Sequence, residues 1–242
     1  MTQDLGPKSL QVCYTVMKTL YIDNLRVDVA GNRDDRICYL LYPMQSAGEW
    51  GEWASKTYDV SVAVISGMDW DDDMTPWPAP GVPRGCPDFK GDAGAFLERL
   101  EKQIMPAVES ALGISRDASR TLAGVSLSGL FTLWQWMTCP VFDNIISLSG
   151  SFWYDGFVRW METHGVPAGK GRAYFLLGDR EADSRVPEFR SVLIYTRKVV
   201  SLLAEAGVST VFEIVPGDHY QNGQQRLERA FSHMFGDGPK AG

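Results

Sequence analysis

The sequence predicts an α/β fold with a mostly parallel central sheet and helices on both of its faces. Short apolar runs, such as "RICYLLYP" at 36–43 and "DVSVAVISG" at 59–67, alternate along the chain with longer amphipathic segments. Continuous apolar strands are typical of a sheet that is buried on both faces. Regular alternation of such strands with helices favours parallel strands joined by helical crossovers.

The spacing of apolar residues predicts the strands and helices along the chain. Residues 14–32 alternate apolar and polar side chains, so we expect antiparallel ribbon strands at the edge of the sheet. Apolar runs predict further strands at 36–43, 59–67, 120–126, 142–150, 172–179 and 208–217. Apolar spacing of three and four residues predicts helices at 92–112, 128–137, 154–165, 187–207 and 224–235. Asp92 is typical of an N-cap, and Gly165 and Gly207 are typical of helix C-termini.

Composition narrows the class of protein. The chain has 242 residues, 45% hydrophobic and 22% charged, and it contains no internal repeat or linker. We therefore expect one domain over 1–242, with edge strands in 1–35 and a catalytic core in 36–235. The net charge of −7 and the lack of a basic run argue against nucleic-acid binding.

Three features of the sequence predict where in the cell the protein is found. The apolar stretches are interrupted well before 18 residues, which argues against a membrane span, and the first residues lack the pattern of a signal peptide. The cysteines lie far apart and form no CxxC pair, as is typical of free thiols in a cytoplasmic protein. They are Cys13, Cys38, Cys86 and Cys139. We expect a cytoplasmic protein, and the sequence makes no prediction of its oligomeric state.

The stretch "AGVSLSGLF" joins a predicted strand to a predicted helix through two serines. A nucleophile elbow presents its serine on such a sharp turn and needs small residues on both sides of it. Ser126 has Gly124 two residues before it and Ser128 two residues after it, with Gly129 next. We interpret Ser126 as the nucleophile of a G-x-S-x-G variant. The alternative is that Ser126 or Ser128 only caps the helix.

An elbow serine needs a base and an orienting acid, in the chain order serine, acid, histidine. Of the three histidines, His164 and His233 fall in predicted helices, where packing or surface roles are expected. His219 follows the last predicted strand, so its imidazole can hang over the sheet edge where Ser126 lies. The alternative for His219 is a loop side chain that faces solvent.

The acid is expected in "YFLLGDREADSR", at the end of the strand before that one. Glu181 stands fourth in G-x-x-E, a position where hydrolases of this type often carry the acid. Asp179 and Asp183 remain alternatives in the same loop.

An oxyanion hole needs two backbone N–H groups aimed at the tetrahedral oxygen. One is predicted from Leu127, the residue after the nucleophile. The other is predicted from the loop after "CYLLYP", where Pro43 has no N–H and Met44 is the natural donor, with Gln45 behind it.

A polar, Trp- and Pro-rich segment at 68–81 is predicted to form a rigid loop beside the site, with Trp70 and Trp77 as apolar walls. The stretch "GSFWY" adds Phe152 and Trp153 near the same edge. Aromatic walls suit an acyl, aryl or sugar-like group.

Three consecutive aspartates, at 71–73, could suggest a metal site. No histidine or further carboxylate lies at ligand spacing, so we interpret them as caps, turn formers and solvated charges. No metal and no cofactor are expected.

Six stretches together resemble one family. They are "LLYPMQ", "GMDWDDDMTPWPAPG", "AGVSLSGLF", "SLSGSFWYDGF", "LLGDRE" and "VPGDHYQNGQQRL". Their order is similar to that of the α/β-hydrolase esterases related to esterase D and the enterochelin esterases, from about residue 36 to 235. The resemblance implies an α/β-hydrolase fold and a serine esterase carried by Ser126 and His219. In this chain "YPMQ" stands where many relatives have His-Gly or Asp-Gly, and some relatives have a weak or absent acid.

The predicted function is therefore hydrolysis of a small-molecule carboxylic ester through an acyl-enzyme. Two alternatives use the same residues differently. One is an acyltransferase or thioesterase, and the other is a binding protein without turnover.

Overall fold

The computed structural model describes residues 17–44, 48–167 and 171–236. One eight-stranded sheet runs through them, in the spatial order β1-β2-β4-β3-β5-β6-β7-β8. The strands are β1 (Lys18–Ile22), β2 (Leu25–Ala30), β3 (Arg36–Leu41), β4 (Ser61–Ser66), β5 (Ser119–Val125), β6 (Asn144–Leu148), β7 (Arg172–Gly178) and β8 (Ser209–Val215).

The sheet is parallel from β3 to β8 and antiparallel at its N-terminal end. Strand β1 pairs antiparallel with β2, and β2 pairs antiparallel with β4. Strands β4, β3, β5, β6, β7 and β8 are all parallel to their neighbours. The predicted mostly parallel sheet with antiparallel N-terminal strands is confirmed.

Helices cover both faces, as predicted. They are α1 (Gly48–Tyr58), α2 (Trp70–Asp73), α3 (Ala93–Arg99), α4 (Met105–Leu112), α5 (Leu127–Thr138), α6 (Phe157–His164), α7 (Pro187–Arg190), α8 (Val192–Glu205) and α9 (Gly223–Phe235). Alternate residues of each strand point into two separate cores. One core contains Tyr39 and packs against α3, α5 and α8, and the other contains Leu40 and packs against α1 and α9.

Helix α1 was not predicted from the sequence. Its stretch "GEWGEWASKTY" carries two glycines, which disfavour a helix. Close packing requires them, because a Cβ on Gly51 would lie 2.8 Å from Val64 Cγ2 and a Cβ on Gly48 would lie 2.6 Å from Asp28 Oδ2. Tertiary contact therefore outweighs local preference here.

Two predicted helices are each divided. A π-helical segment, Leu100–Ile104, joins α3 to α4 within the predicted 92–112. Within the predicted 187–207, Ser191 separates α7 from α8. The predicted loop at 68–81 also contains the short helix α2.

The parallel part of the sheet positions the candidate catalytic residues. In a parallel sheet all strands end at one edge, and ligands of such sheets bind outside the carboxyl ends. Ser126 directly follows β5, Glu181 lies three residues after β7, and His219 lies four residues after β8. Three segments far apart in sequence therefore meet at one edge.

Candidate active site

Ser126 sits on a strained turn between β5 and α5. Its backbone angles are φ 56° and ψ −121°, a conformation that non-glycine residues rarely adopt. Its N–H donates to Leu148 O at 2.9 Å, and its carbonyl accepts from Leu130 and Ser151 N–H groups. A Cβ on Gly124 would lie 2.2 Å from the carbonyl oxygen of Ser128, so the turn requires glycine there. Such strain is typical of functional sites.

Ser128 has a different environment from Ser126. It is fully buried, and its hydroxyl lies 3.0 Å from Leu41 O and 2.9 Å from Val125 O. The same oxygen accepts from Val125 N–H at 2.8 Å. Ser128 therefore ties the end of β3 to the end of β5 beneath the turn, and its hydroxyl is not directed at the cavity.

His219 contacts both the serine and the acid. Its Nε2 lies 3.2 Å from Ser126 Oγ, and its Nδ1 lies 2.9 Å from Glu181 Oε2. The His219 side chain is 32% exposed and the Glu181 side chain is 2% exposed. The contacts from Ser126 through His219 to Glu181 therefore lead from the cavity into the protein interior. With Nδ1 protonated and bonded to the carboxylate, Nε2 is free to accept the Ser126 proton.

Glu181 is buried in a nest of donors. Its Oε1 accepts from the Ser149 hydroxyl, the Gly178 N–H and Arg226 Nη1, each at 2.7 Å. Burial acts to raise the pKa of the Glu181 carboxyl, but hydrogen bonds from His219, Ser149 and the Gly178 N–H outweigh it and the pKa is lowered. Glu181 is therefore ionised at neutral pH.

The two alternative acids lie elsewhere. Asp179 Oδ1 accepts from Gly217 N–H at 2.9 Å, which ties the loop after β7 to the loop after β8. Asp183 is exposed and lines the cavity. Of the three carboxylates, Glu181 is the one at hydrogen-bond distance from His219.

Of the two expected oxyanion donors, Leu127 lines the cavity and opens α5, so its N–H belongs to a helix N-terminus. Met44 follows β3 and is 58% exposed. Gln45 lies outside the described residues. The roles of Leu127 and Met44 stay predictions.

A cavity of about 570 Å³ opens above Ser126. One side of the cavity is apolar and aromatic, and it includes Trp70 and Trp153. Their contact with a substrate stays a prediction. The apolar residues that line the cavity are Trp70, Val82, Pro83, Phe89, Leu127, Trp153, Val186, Phe189 and Val192. Phe89 is buried, and Trp153 packs on Phe189 with ring centroids 4.7 Å apart.

Trp77 and Phe152 do not line this cavity. Trp77 packs against Tyr154, Phe157 and Trp160, and its Nε1 donates to the Asp155 carbonyl at 2.9 Å. Trp77 therefore anchors the 74–92 segment to the fold rather than forming a wall. Phe152 is fully buried in the core.

The aspartate run has cap and ion-pair partners. Asp69 caps α2 by accepting from the Asp72 N–H, Asp72 pairs with Lys90, and Asp73 pairs with Arg99. Among residues 17–44, 48–167 and 171–236, no group of three His, Cys, Asp or Glu is arranged to hold a metal ion.

Sequence reasoning missed three polar residues at this site. Ser149 and Arg226 contact Glu181, and the buried Ser151 Oγ lies 3.3 Å from Ser126 Oγ. The signal for the serines was present in "SLSGSFW", where every second residue from Ser147 to Ser151 carries a hydroxyl. The signal for Arg226 was absent, because an arginine in an amphipathic helix is usually exposed.

Solved structures with this architecture come from fungi and bacteria. The siderophore hydrolase EstB of Aspergillus nidulans aligns with a TM-score of 0.66 at 19% identity, over 93% of this chain and 97% of that one. The BES protein of Bacillus cereus aligns with a TM-score of 0.65 at 16% identity, over 95% and 98%. This chain has the α/β-hydrolase fold. The fold implied by the family resemblance is thus confirmed.

Two further comparisons concern parts of longer proteins. The α/β-hydrolase chain aligns with the enterobactin esterase FES of Shigella flexneri at a TM-score of 0.68 and 17% identity, over 92% of this chain and 59% of that one. The uncharacterized protein YbbA of Bacillus subtilis (strain 168) is 30% identical over 138 residues, 56% of this chain. That match spans 55% of the length of YbbA, about half. No protein-family model matches this chain.

None of the helices in the part of the chain that the structure describes is both long enough and apolar enough to cross a membrane.

Proposed function

We propose that this α/β-hydrolase is a serine hydrolase that cleaves a small-molecule carboxylic ester through an acyl-enzyme. The observation that carries the proposal is the chain of contacts from Ser126 Oγ through His219 to the buried Glu181, at 3.2 and 2.9 Å. A serine, a histidine and an orienting carboxylate at such distances form the arrangement of an activated nucleophile.

In the first half of the reaction, Ser126 Oγ attacks the ester carbonyl while His219 Nε2 takes the hydroxyl proton. The new Oγ–C bond gives a tetrahedral oxyanion, which we expect the N–H of Leu127, the first residue of α5, to stabilise. The bond from carbon to the alcohol oxygen then breaks, and His219 returns the proton to the departing alcohol.

In the second half, water enters and gives a proton to His219 Nε2 as its oxygen attacks the acyl carbon. Collapse of the second tetrahedral state breaks the Oγ–C bond, and the proton returns to Ser126. Throughout both halves Glu181 holds the Nδ1–H of His219 and stabilises the imidazolium without taking its proton.

The lining of the cavity supports a substrate with an apolar group. Its apolar wall, which includes Trp70, Phe89 and Trp153, suits an apolar or aromatic acyl or alcohol group. The likeness in fold to proteins named siderophore hydrolase and enterobactin esterase is consistent with an ester as substrate.

The test is labelling with a fluorophosphonate, which reacts with activated serines. We expect one adduct per chain on the peptide that contains Ser126, and no adduct in Ser126→Ala. Ser128→Ala is the matched control from the same turn and should still be labelled. An unlabelled native chain, or an adduct on Ser128, would refute the proposal and favour a binding protein or a different nucleophile.

A panel of alkyl and aryl esters of increasing acyl length then defines the reaction. Free acid should form in amounts equal to the alcohol released. If added alcohols or thiols capture most of the acyl group, the chain is an acyltransferase rather than a hydrolase.

A further inference from the structure

Arg226 is a buried cation inside the acid–histidine assembly. It lies in the first turn of α9, and its side chain is 4% exposed against 2% for Glu181. Its Nη1 donates to Glu181 Oε1 at 2.7 Å and to Ser149 Oγ at 2.6 Å. A charged side chain is rarely buried to this extent unless its partner is buried with it.

These contacts divide the two oxygens of Glu181 between two tasks. Oε1 accepts from three scaffold donors, Arg226, the Ser149 hydroxyl and the Gly178 N–H, and Oε2 accepts from His219. A carboxylate that is held through one oxygen has its second oxygen fixed in direction. The scaffold contacts to Oε1 therefore aim Oε2 at the imidazole.

The same guanidinium also holds the histidine loop. Arg226 Nη2 donates to the carbonyl oxygen of Asp218, the residue before His219, at 2.5 Å. One rigid planar group thus joins the loop after β7 to the loop after β8. A lysine in its place would carry the charge but not the fixed fork of donors.

Gly178 makes room for this arrangement. A Cβ at this position would lie 2.5 Å from Arg226 Nη2 and 2.3 Å from the carbonyl oxygen of Gly217. The glycine of G-x-x-E therefore lets the guanidinium and the histidine loop approach the strand end.

The charge of Arg226 compensates that of Glu181 where water does not reach either group. The other titratable or charged side chains around the acid and the histidine are all more exposed than this pair. They are Asp71, Asp179, Arg180, Asp183, Asp218 and Tyr220. Screening by water makes exposed charges count for less than buried ones.

We propose that Arg226 is a positioning residue that aims Glu181 and the His219 loop at Ser126. This inference rests on the proposed function. Arg226 is not among the residues that line the cavity in the described chain, so it acts through Glu181 and His219 and not on the substrate.

The first experiment measures kcat and KM on an aryl ester for Arg226→Met and Arg226→Lys. Arg226→Met should lower kcat on the order of 100-fold, the cost of misplacing a catalytic group by about 1 Å. KM should change little, and Arg226→Lys should recover part of the loss. Wild-type kcat in Arg226→Met would overturn the inference.

A double-mutant cycle separates positioning from mere stability. In a Glu181→Gln background, Arg226→Met should lower kcat by clearly less than it does in the native chain, because the carboxylate that it positions is already gone and only its bond to the Asp218 carbonyl is lost. If the full loss recurs in that background, Arg226 acts independently of Glu181 and the inference is wrong. If Arg226→Met does not fold, the same cycle is run with Arg226→Lys.

The pH profile is the second readout. Without Arg226 the buried carboxylate is uncompensated, so the acid and histidine bind protons more readily and the acid limb of kcat/KM should move to higher pH. The matched control is Arg120→Met, which breaks an ion pair with Glu109 away from the site. It should leave kcat and the acid limb unchanged, and an equal shift in both variants would overturn the inference.

Fluorophosphonate labelling distinguishes the two proposals. A native chain that is neither labelled nor active on esters refutes the proposed function itself. A native chain that is labelled and active, with Arg226 variants that match it in kcat and pH profile, refutes only the role of Arg226.

Discussion

Two arginine–carboxylate pairs lie towards opposite ends of the parallel strands. At the N-terminal end of β5, Arg120 binds Glu109 of α4 through two bonds, Nε to Oε1 at 2.8 Å and Nη2 to Oε2 at 3.0 Å. The Tyr39 hydroxyl also donates to Glu109 Oε1 at 3.1 Å. Both oxygens of Glu109 are thereby bound to groups that do not titrate near neutral pH.

At the carboxyl-end edge, Arg226 binds only one oxygen of Glu181. The second oxygen binds His219, whose ordinary titration range lies near neutral pH. The two pairs share their chemistry and differ in what the second oxygen contacts. A carboxylate held entirely by the scaffold is structural, whereas one that is half held by the scaffold can orient a base.

The largest expected effect comes from removing that base. His219→Ala should lower kcat about 10⁶-fold, as the loss of the histidine does in well-studied serine proteases. In the native chain, kcat/KM should fall on the acid side with one ionisation between roughly pH 5 and 8. The measurement is steady-state ester hydrolysis across that range.

His164→Ala and His233→Ala are the matched controls for this prediction. The His164 imidazole packs on Trp160 and the His233 imidazole packs on Tyr174, and neither histidine lines the cavity. Both should keep the native rate and profile. Near-native hydrolysis by His219→Ala would contradict a serine–histidine mechanism.

The next effect compares the two carboxylates directly. Glu181→Gln should lower kcat about 10⁴-fold, as loss of a triad acid does, because an amide stabilises the wrong tautomer of His219. Glu109→Gln changes the same group in the other pair and should lower the melting temperature while kcat is kept. Steady-state kinetics and thermal unfolding of both variants test this, and equal losses of kcat would remove the distinction between the pairs.

A smaller effect concerns the two serines of the turn. Ser128→Ala should lower the free energy of unfolding by about 1–3 kcal/mol, because it removes a fully buried hydroxyl that accepts from the Val125 N–H and donates to backbone carbonyls. Its kcat should stay within about tenfold of native, whereas Ser126→Ala should retain almost no activity. Urea unfolding and kinetics on the same samples give both numbers. An unchanged stability would show that the Ser128 bonds contribute nothing.

The smallest effect is on the pH dependence of stability. The pKa of Glu181 is lowered from its ordinary value of 4.5 by its hydrogen bonds, against the effect of burial. Ionised Glu181 therefore stabilises the folded chain above pH 4.5, and this contribution is lost as the pH falls through the lower folded value. Melting temperatures should fall more steeply below pH 4.5 in the native chain than in Glu181→Gln. Parallel curves would contradict the lowered pKa.

Much of the candidate active site was predictable from the order of strands and loops in the sequence. Ser126 was identified by its small neighbours, and His219 by its place after the last strand. Parallel strands end at one edge, so residues that follow β5, β7 and β8 meet there whatever their separation in sequence. The catalytic roles of Ser126, His219 and Glu181 stay predictions until the variants are measured.

The sequence of the loop does not show which of its three carboxylates lies within hydrogen-bond distance of His219. Asp179, Glu181 and Asp183 lie within five residues and are chemically alike. Asp179 accepts a hydrogen bond from the Gly217 N–H, Glu181 lies at hydrogen-bond distance from His219, and Asp183 is exposed. Likewise, Trp70 reached the cavity whereas Trp77 packed against Tyr154 and Phe157.

The sequence by itself determined the class of fold and the candidate nucleophile and base, because hydrophobic periodicity and strand ends are local properties. Only the tertiary structure decided that Gly48 and Gly51 belong to a helix and that Arg226 is buried against Glu181. Both the helix at Gly48 and Gly51 and the burial of Arg226 depend on contacts with residues that are distant in sequence. A glycine gains from close packing, and an arginine leaves water, only when a partner far away in sequence makes the contact.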